Sequence, residues 1–163
     1  MAMSIEVKQG DDAPDFDLPT DGGERFRLSS ARGNPVVLYF YPKDDTSGCT
    51  LEALDFTAKA SEFAEIGVAI VGISPDTVKK HDAFKKKHGL ALRLAADPER
   101  RAIDAYGVWA EKSMYGRKYM GVDRSTFLID RDGVVARIWR NVKVPGHVDD
   151  VLEAARMIAA TSG

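Results

Sequence analysis

A chain of 163 residues with 44% hydrophobic content is long enough for one ordinary domain with its own core. Its net charge of -2, with acidic and basic residues mixed along the chain, gives no electrostatic reason to expect nucleic acid or an anionic membrane as a partner. A single cysteine excludes an intramolecular disulfide. The opening Met1-Ala-Met-Ser-Ile-Glu-Val-Lys8 lacks an apolar h-region and no run of about 18 apolar residues occurs, so the expectation is a cytoplasmic protein with a reduced thiol.

The first fifteen residues are polar and end in the loop Gly10-Asp-Asp-Ala-Pro14-Asp15. Phe16-Asp-Leu18 and Phe26-Arg-Leu28 alternate around Thr20-Asp-Gly-Gly23, the pattern of a hairpin, and Ser29 to Gly33 reads as one helical turn ended by Asn34-Pro35. Val36 to Tyr41 is an uncharged aliphatic and aromatic run, which predicts a central strand buried on both faces. After the loop Pro42-Lys-Asp-Asp-Thr46-Ser-Gly48, a helix is expected from Cys49 to Glu65-Ile-Gly67, with Cys49, Ala53, Phe56, Ala60 and Phe63 on its buried face. Val68 to Ser74 is a second continuous apolar strand. Strand, helix and strand with a crossover of this length predict a parallel pair.

Ser74-Pro-Asp-Thr77 caps a helix running through His81 and Phe84 to His88, with Gly89 as its stop, and Asp97-Pro98 starts another that ends at Tyr106-Gly107. Periodicity fades from Val108 to Val122, which predicts a long loop carrying aromatic and cationic groups. Ser125 to Asp130 is a strand, Arg131-Asp-Gly133 a tight turn, and Val134 to Arg140 the antiparallel return. A last amphipathic helix follows Pro145, with Val148, Val151, Leu152, Ala155 and Ile158 on one face. Strands interleaved with helices and closed by a hairpin predict an α/β fold with a central mixed sheet flanked by helices. With no repeat, low-complexity tract or linker, residues 1–163 are expected to form one domain.

The chemistry centres on Cys49, which this pattern places at a strand-to-helix junction. A helix start exposes unpaired N–H groups and the positive end of the macrodipole, which biases a thiol there toward thiolate. A free thiol with a pKa near 8.5 needs roughly 2.7 kcal/mol of preference for its charged form to drop by about two units. A helix N-terminus supplies about 0.3 to 1 kcal/mol, so a cation is required as well. Arg124, entering the strand at Ser125, can be carried by the sheet to the carboxyl end of Val36 to Tyr41, beside Cys49. Glu52, one turn after Cys49, is placed to orient that guanidinium. The Thr46 hydroxyl can donate to or accept from a substrate with two oxygens, and Pro42 stiffens the loop and shields the sulfur.

Pro42-x-x-x-Thr46-x-x-Cys49, followed by Glu52 and completed by Arg124 in Arg-Ser-Thr-Phe-Leu-Ile-Asp130, resembles the peroxiredoxin active site. Tyr39-Phe-Tyr-Pro-Lys-Asp-Asp-Thr-x-Gly-Cys-Thr50, with Tyr115-Gly-x-x-Tyr119-Met-Gly121 downstream, is similar to the bacterioferritin comigratory protein or peroxiredoxin Q branch, and the likeness extends from Gly10 to the final helix. The resemblance implies a thioredoxin-like fold and reduction of hydroperoxides with Cys49 as the attacking residue. Two departures stand out. The branch often carries a second cysteine five residues after the first, where this chain has Leu54, or on the following helix, where it has none; and Ser47 occupies a position usually held by proline. The implied cycle is therefore of the one-cysteine kind, closed by an external thiol such as thioredoxin, a glutaredoxin or glutathione, or by Cys49 of a second molecule. The same resemblance leaves a monomer or a homodimer open.

Competing readings are plainer. A lone cysteine is most often an inert core residue, Arg124 alone a surface charge, Glu52 a first-turn acid and Thr46 or Ser47 a simple N-cap. Thiol-disulfide exchange is disfavoured because Thr46 takes the first place of what would be a Cys-x-x-Cys pair. A non-catalytic binding module or a redox sensor on the same fold is the other class. His81, His88 and His147 lie on separate segments without ligand spacing, and Asp130-Arg-Asp-Gly133 is explained by a hairpin turn, so no metal is expected. No phosphate-cradling or dinucleotide glycine motif is present in the sequence, so no cofactor is expected.

Overall fold

The computed structural model describes residues 6–160. Short strands β1 (Asp17–Pro19) and β2 (Arg25–Arg27) pair antiparallel around a 3-10 turn at Asp21–Gly23, with Leu18 opposite Phe26. A second 3-10 turn, Leu28–Ala31, leads to β3 (Val36–Phe40). Then come α1 (Ser47–Ala58), α2 (Ala60–Glu65), β4 (Ala69–Ser74), α3 (Val78–His88), β5 (Arg93–Ala96) and α4 (Arg101–Ala105). The remaining elements are β6 (Trp109–Met114), β7 (Arg117–Val122), β8 (Ser125–Ile129), β9 (Val135–Trp139) and α5 (His147–Ala160).

The central sheet has five strands in the order β5-β4-β3-β8-β9. β3, β4 and β5 run parallel, while β8 and β9 are antiparallel to their neighbours, so the sheet is mixed as expected. Strand alternation divides the core between its faces. Val36, Leu38 and Phe40 point to one face, where the N-terminal hairpin, α4 and the segment after it pack with Phe16, Phe26, Ile103 and Tyr106. Val37, Tyr39 and Tyr41 point to the other, against Cys49, Ala53 and Phe56 of α1, Phe63 of α2, Phe84 of α3 and Val151 of α5. Tyr39 stacks between Tyr41 and Phe56, at 5.4 and 4.6 Å between ring centroids, and lies over Gly72 of β4, where a Cβ would sit 2.7 Å from the ring.

Three elements differ from the sequence expectation. The helix beginning near Cys49 breaks at Lys59 into α1 and α2. A straight helix would separate Phe56 and Phe63 by about 10 Å along its axis; the break brings their rings to 6.0 Å and buries both. Residues 90–96, given no element from the sequence, contribute β5, whose Leu94, Ala95 and Ala96 are buried beside β4. The expected loop from Val108 to Val122 is a hairpin of β6 and β7 closed at Tyr115-Gly116, with φ of 53° and 77°. Positive φ at both central residues is the signature of a type I′ turn. The alternation that reveals a strand is missing here because most side chains on both faces of this hairpin are solvent-exposed.

Candidate active site

The site forms where β3 leaves the sheet. Tyr41 still bonds β4 through Ile73, and the chain then turns through Pro42–Thr46 into α1. Antiparallel pairing sets Ser125 of β8 opposite Phe40, so the residue before β8, Arg124, arrives beside the start of α1. Sheet register thus brings together residues 75 positions apart: Arg124 Nη2 donates to Cys49 Sγ at 3.3 Å. Nη1 of the same guanidinium donates to Glu52 Oε1 at 2.6 Å. Gly48 makes room for it, since a Cβ there would lie 3.2 Å from Arg124 Nη2.

Cys49 is buried, with 1% of its surface exposed. It occupies the third position of α1, and the first intrahelical bond runs from Thr50 N–H to Thr46 C=O at 2.8 Å. The N–H groups of Ser47, Gly48 and Cys49 therefore have no acceptor within the helix. Thr46 holds the N-cap position without making the usual cap bond; its hydroxyl donates instead to the Lys43 carbonyl at 2.9 Å. That commits the hydroxyl proton and leaves the oxygen free to accept. Pro42 is half-buried at the start of the loop.

Glu52 is completely buried, and its Oε2 has no hydrogen-bond partner. Burial pushes this carboxyl up to about 7, although Arg124 pulls it down. His147 is held at about 4 by burial and by the charge of Arg124, against the pull of Asp150; it sits neutral, 2.8 Å from Thr126 Oγ1. Lys112 of β6 is lowered by burial, against the pull of the Asp123 carboxylate.

The model of the AhpC/TSA family matches residues 9–138. The chain belongs to the AhpC/TSA family. A putative peroxiredoxin bcp of Coxiella burnetii is 49% identical over 92% of this chain and 98% of its own length. Peroxiredoxin Bcp of Bacillus subtilis is 47% identical over 94% and 97%. Among solved structures, the bacterioferritin comigratory protein of Xanthomonas campestris superposes with a TM-score of 0.84 at 44% identity, covering 88% of this chain and 92% of that one. PrxQ of Xylella fastidiosa gives a TM-score of 0.88 at 36% identity, covering 94% and 98%. The fold of this peroxiredoxin is accordingly the thioredoxin-like one, and its branch is that of Bcp and peroxiredoxin Q.

Sequence reasoning missed a buried polar cluster beneath the loop. Asp44, Ser74, Asp76 and His81 converge there, and donor atoms of Asp44, Asp76 and His81 lie within 4.8 Å of one another. Those of Asp44 and His81 are spent on each other, at 2.6 Å between Oδ2 and Nδ1. One signal pointed to the place: ligand sites in open α/β sheets lie beyond the carboxyl ends of parallel strands, and Asp44 and Asp76 both follow such ends.

Proposed function

We propose that this peroxiredoxin reduces hydroperoxides at Cys49 by a one-cysteine cycle, with Arg124, Thr46, Glu52 and Pro42 completing the site. The observation that carries the reading is the forked contact of Arg124 with Cys49 Sγ and Glu52 Oε1. A guanidinium 3.3 Å from sulfur offers the thiolate a charge-assisted hydrogen bond, and the remaining N–H groups at its planar edge can also donate to an oxygen of the substrate. The thiolate attacks the terminal peroxide oxygen; the O–O bond breaks, sulfur is oxidised to sulfenic acid, and the departing alkoxide takes a proton to leave as alcohol or water. Arg124 and the open N–H groups of Gly48 and Cys49 stabilise the negative charge as it moves onto oxygen. The Thr46 oxygen accepts the hydrogen bond of the hydroperoxide O–H, which orients the substrate for attack. Glu52 holds the guanidinium, and Pro42 stiffens the loop.

The sequence has one cysteine, so no second thiol of the same chain can trap the sulfenic acid. An external thiol forms a mixed disulfide with release of water, and a second thiol returns Cys49 to its reduced form. This chemistry fits a reducing compartment, the cytoplasm. Among the described residues no helix is long and apolar enough to cross a membrane.

The test is the rate at which pre-reduced protein consumes one equivalent of hydroperoxide, with Cys49→Ser as the blank. Consumption orders of magnitude faster than by a free thiol, and lost in the variant, is the expected outcome. A rate equal to that of free cysteine would leave a binding module as the better reading.

A further inference from the structure

We propose that Asp76 is a positioning residue for the Thr46 hydroxyl, acting through the peptide unit that joins Lys43 to Asp44. This rests on the reading of Thr46 as the acceptor for the hydroperoxide O–H. The two ends of one rigid peptide plane carry the argument. Its N–H, on Asp44, donates to Asp76 Oδ2 at 2.7 Å. Its C=O, on Lys43, accepts the Thr46 hydroxyl at 2.9 Å. A plane held at one end fixes the direction of the other, so the carboxylate at the exit of β4 sets where the Thr46 proton points and where its lone pairs face.

Asp76 is itself held. Ser74 Oγ donates to Asp76 Oδ2 at 2.7 Å and accepts the Asp76 N–H at 3.2 Å. Asp44 is held from two elements: its Oδ1 accepts the hydroxyl of Tyr41, which follows β3, at 2.5 Å, and its Oδ2 lies 2.6 Å from Nδ1 of His81 on α3. His81 Nε2 faces the Ala95 carbonyl at 3.0 Å, an oxygen that can only accept, so Nε2 is the donor there. Asp45, in the left-handed region at φ 61°, is tied to Lys87 and His88 at 2.7 and 2.8 Å.

What this arrangement changes is the role of Thr46. Threonine at an N-cap ordinarily accepts a backbone N–H from the first turn. Here it makes no such bond. Diverted to Lys43, the hydroxyl leaves the N–H groups of Gly48 and Cys49 open and presents a lone pair to the substrate. Release of the peptide plane lets Thr46 rotate to the ordinary cap, which closes those N–H groups and removes the acceptor together. Two buried carboxylates are a costly way merely to close a loop, whereas an oriented acceptor beside a thiol requires a rigid mount.

The experiment is a double-mutant cycle in the full chain, read by hydroperoxide consumption and, in parallel, by alkylation of Cys49 with iodoacetamide. Asp76→Ala is expected to slow the hydroperoxide reaction about tenfold or more while alkylation falls by at most about fivefold, the share of thiolate preference that the helix start supplies, because Arg124 is untouched. Thr46→Val should show a similar loss, and adding Asp76→Ala to it should change the rate by less than about twofold. Asp76→Asn, which keeps an acceptor oxygen, should recover much of the rate. If Asp76→Ala does not fold, Ser74→Ala, which frees the same carboxylate, runs the same cycle. Losses that multiply, or alkylation falling in step with hydroperoxide turnover, would overturn the inference while leaving Thr46 in its role. A wild-type rate for Thr46→Val would overturn that role and the inference with it.

Discussion

Replacing Arg124 by alanine removes the guanidinium that reaches both the thiol and its buried neighbour. Opposite unit charges 3.3 Å apart attract by about 5 kcal/mol at an effective permittivity of about 20. After desolvation, a hydrogen bond to a charged group retains about 1.5–3 kcal/mol. The start of α1 alone contributes about 0.3–1 kcal/mol, so the thiolate in the variant loses most of its stabilisation. The second-order rate with hydroperoxide should therefore fall by about 10- to 150-fold, and further if the same group also holds the peroxide oxygen. Arg124→Lys should lie between, because a point charge cannot serve sulfur and carboxylate in one fork. The fold should survive Arg124→Ala, since Glu52, already near 7 with Arg124 pulling it down, takes up a proton when that pull is gone. Stopped-flow consumption of one equivalent of hydroperoxide gives the rate, and circular dichroism checks the fold. A folded Arg124→Ala protein reacting within about twofold of wild type would refute the electrostatic reasoning.

Glu52 makes stability depend on pH. Its carboxyl is raised in the folded state to about 7 from 4.5, so the native protein holds this proton more tightly than the unfolded chain does. The contribution is fully present below the unfolded value and is lost as pH rises through about 7. Relative to Glu52→Gln, wild type should lose about 2 kcal/mol between pH 5 and pH 8 in urea unfolding, and parallel pH profiles of the two proteins would count against it. Gly72→Ala should destabilise by about 1–3 kcal/mol, because the new Cβ meets a Tyr39 ring that Tyr41 and Phe56 hold in place; an unchanged unfolding midpoint would contradict this. Hydroperoxide added without reductant should leave Cys49 as sulfenic acid or as an intermolecular disulfide, and mass spectrometry finding Cys49 unmodified would argue against the whole cycle.

Much of the fold was legible because its signals are local. Continuous apolar runs gave β3 and β4, the spacing of Ala53, Phe56 and Phe63 gave the buried face after Cys49, and Thr77 and Gly89 bounded α3. The failures share a cause. At Lys59 no glycine or proline marks the break, across which Phe56 packs on Phe63. β6 and β7 lack alternation because water, not the core, meets most of their side chains. β5 is too short and alanine-rich to stand out before β4 supplies its partner.

The site divides along the same line. The sequence by itself determined which groups are present: one thiol at a helix start, a threonine three residues before it, an acid one turn after, and no second cysteine to complete an internal disulfide. Tertiary structure decided what they touch. Antiparallel register carried Arg124 across 75 positions to Cys49, and the fold of the loop gave the Thr46 hydroxyl the Lys43 carbonyl in place of its ordinary cap. Residue type and local spacing are written along the chain, whereas the direction of a hydroxyl and the approach of a guanidinium depend on strands that meet only when the sheet closes.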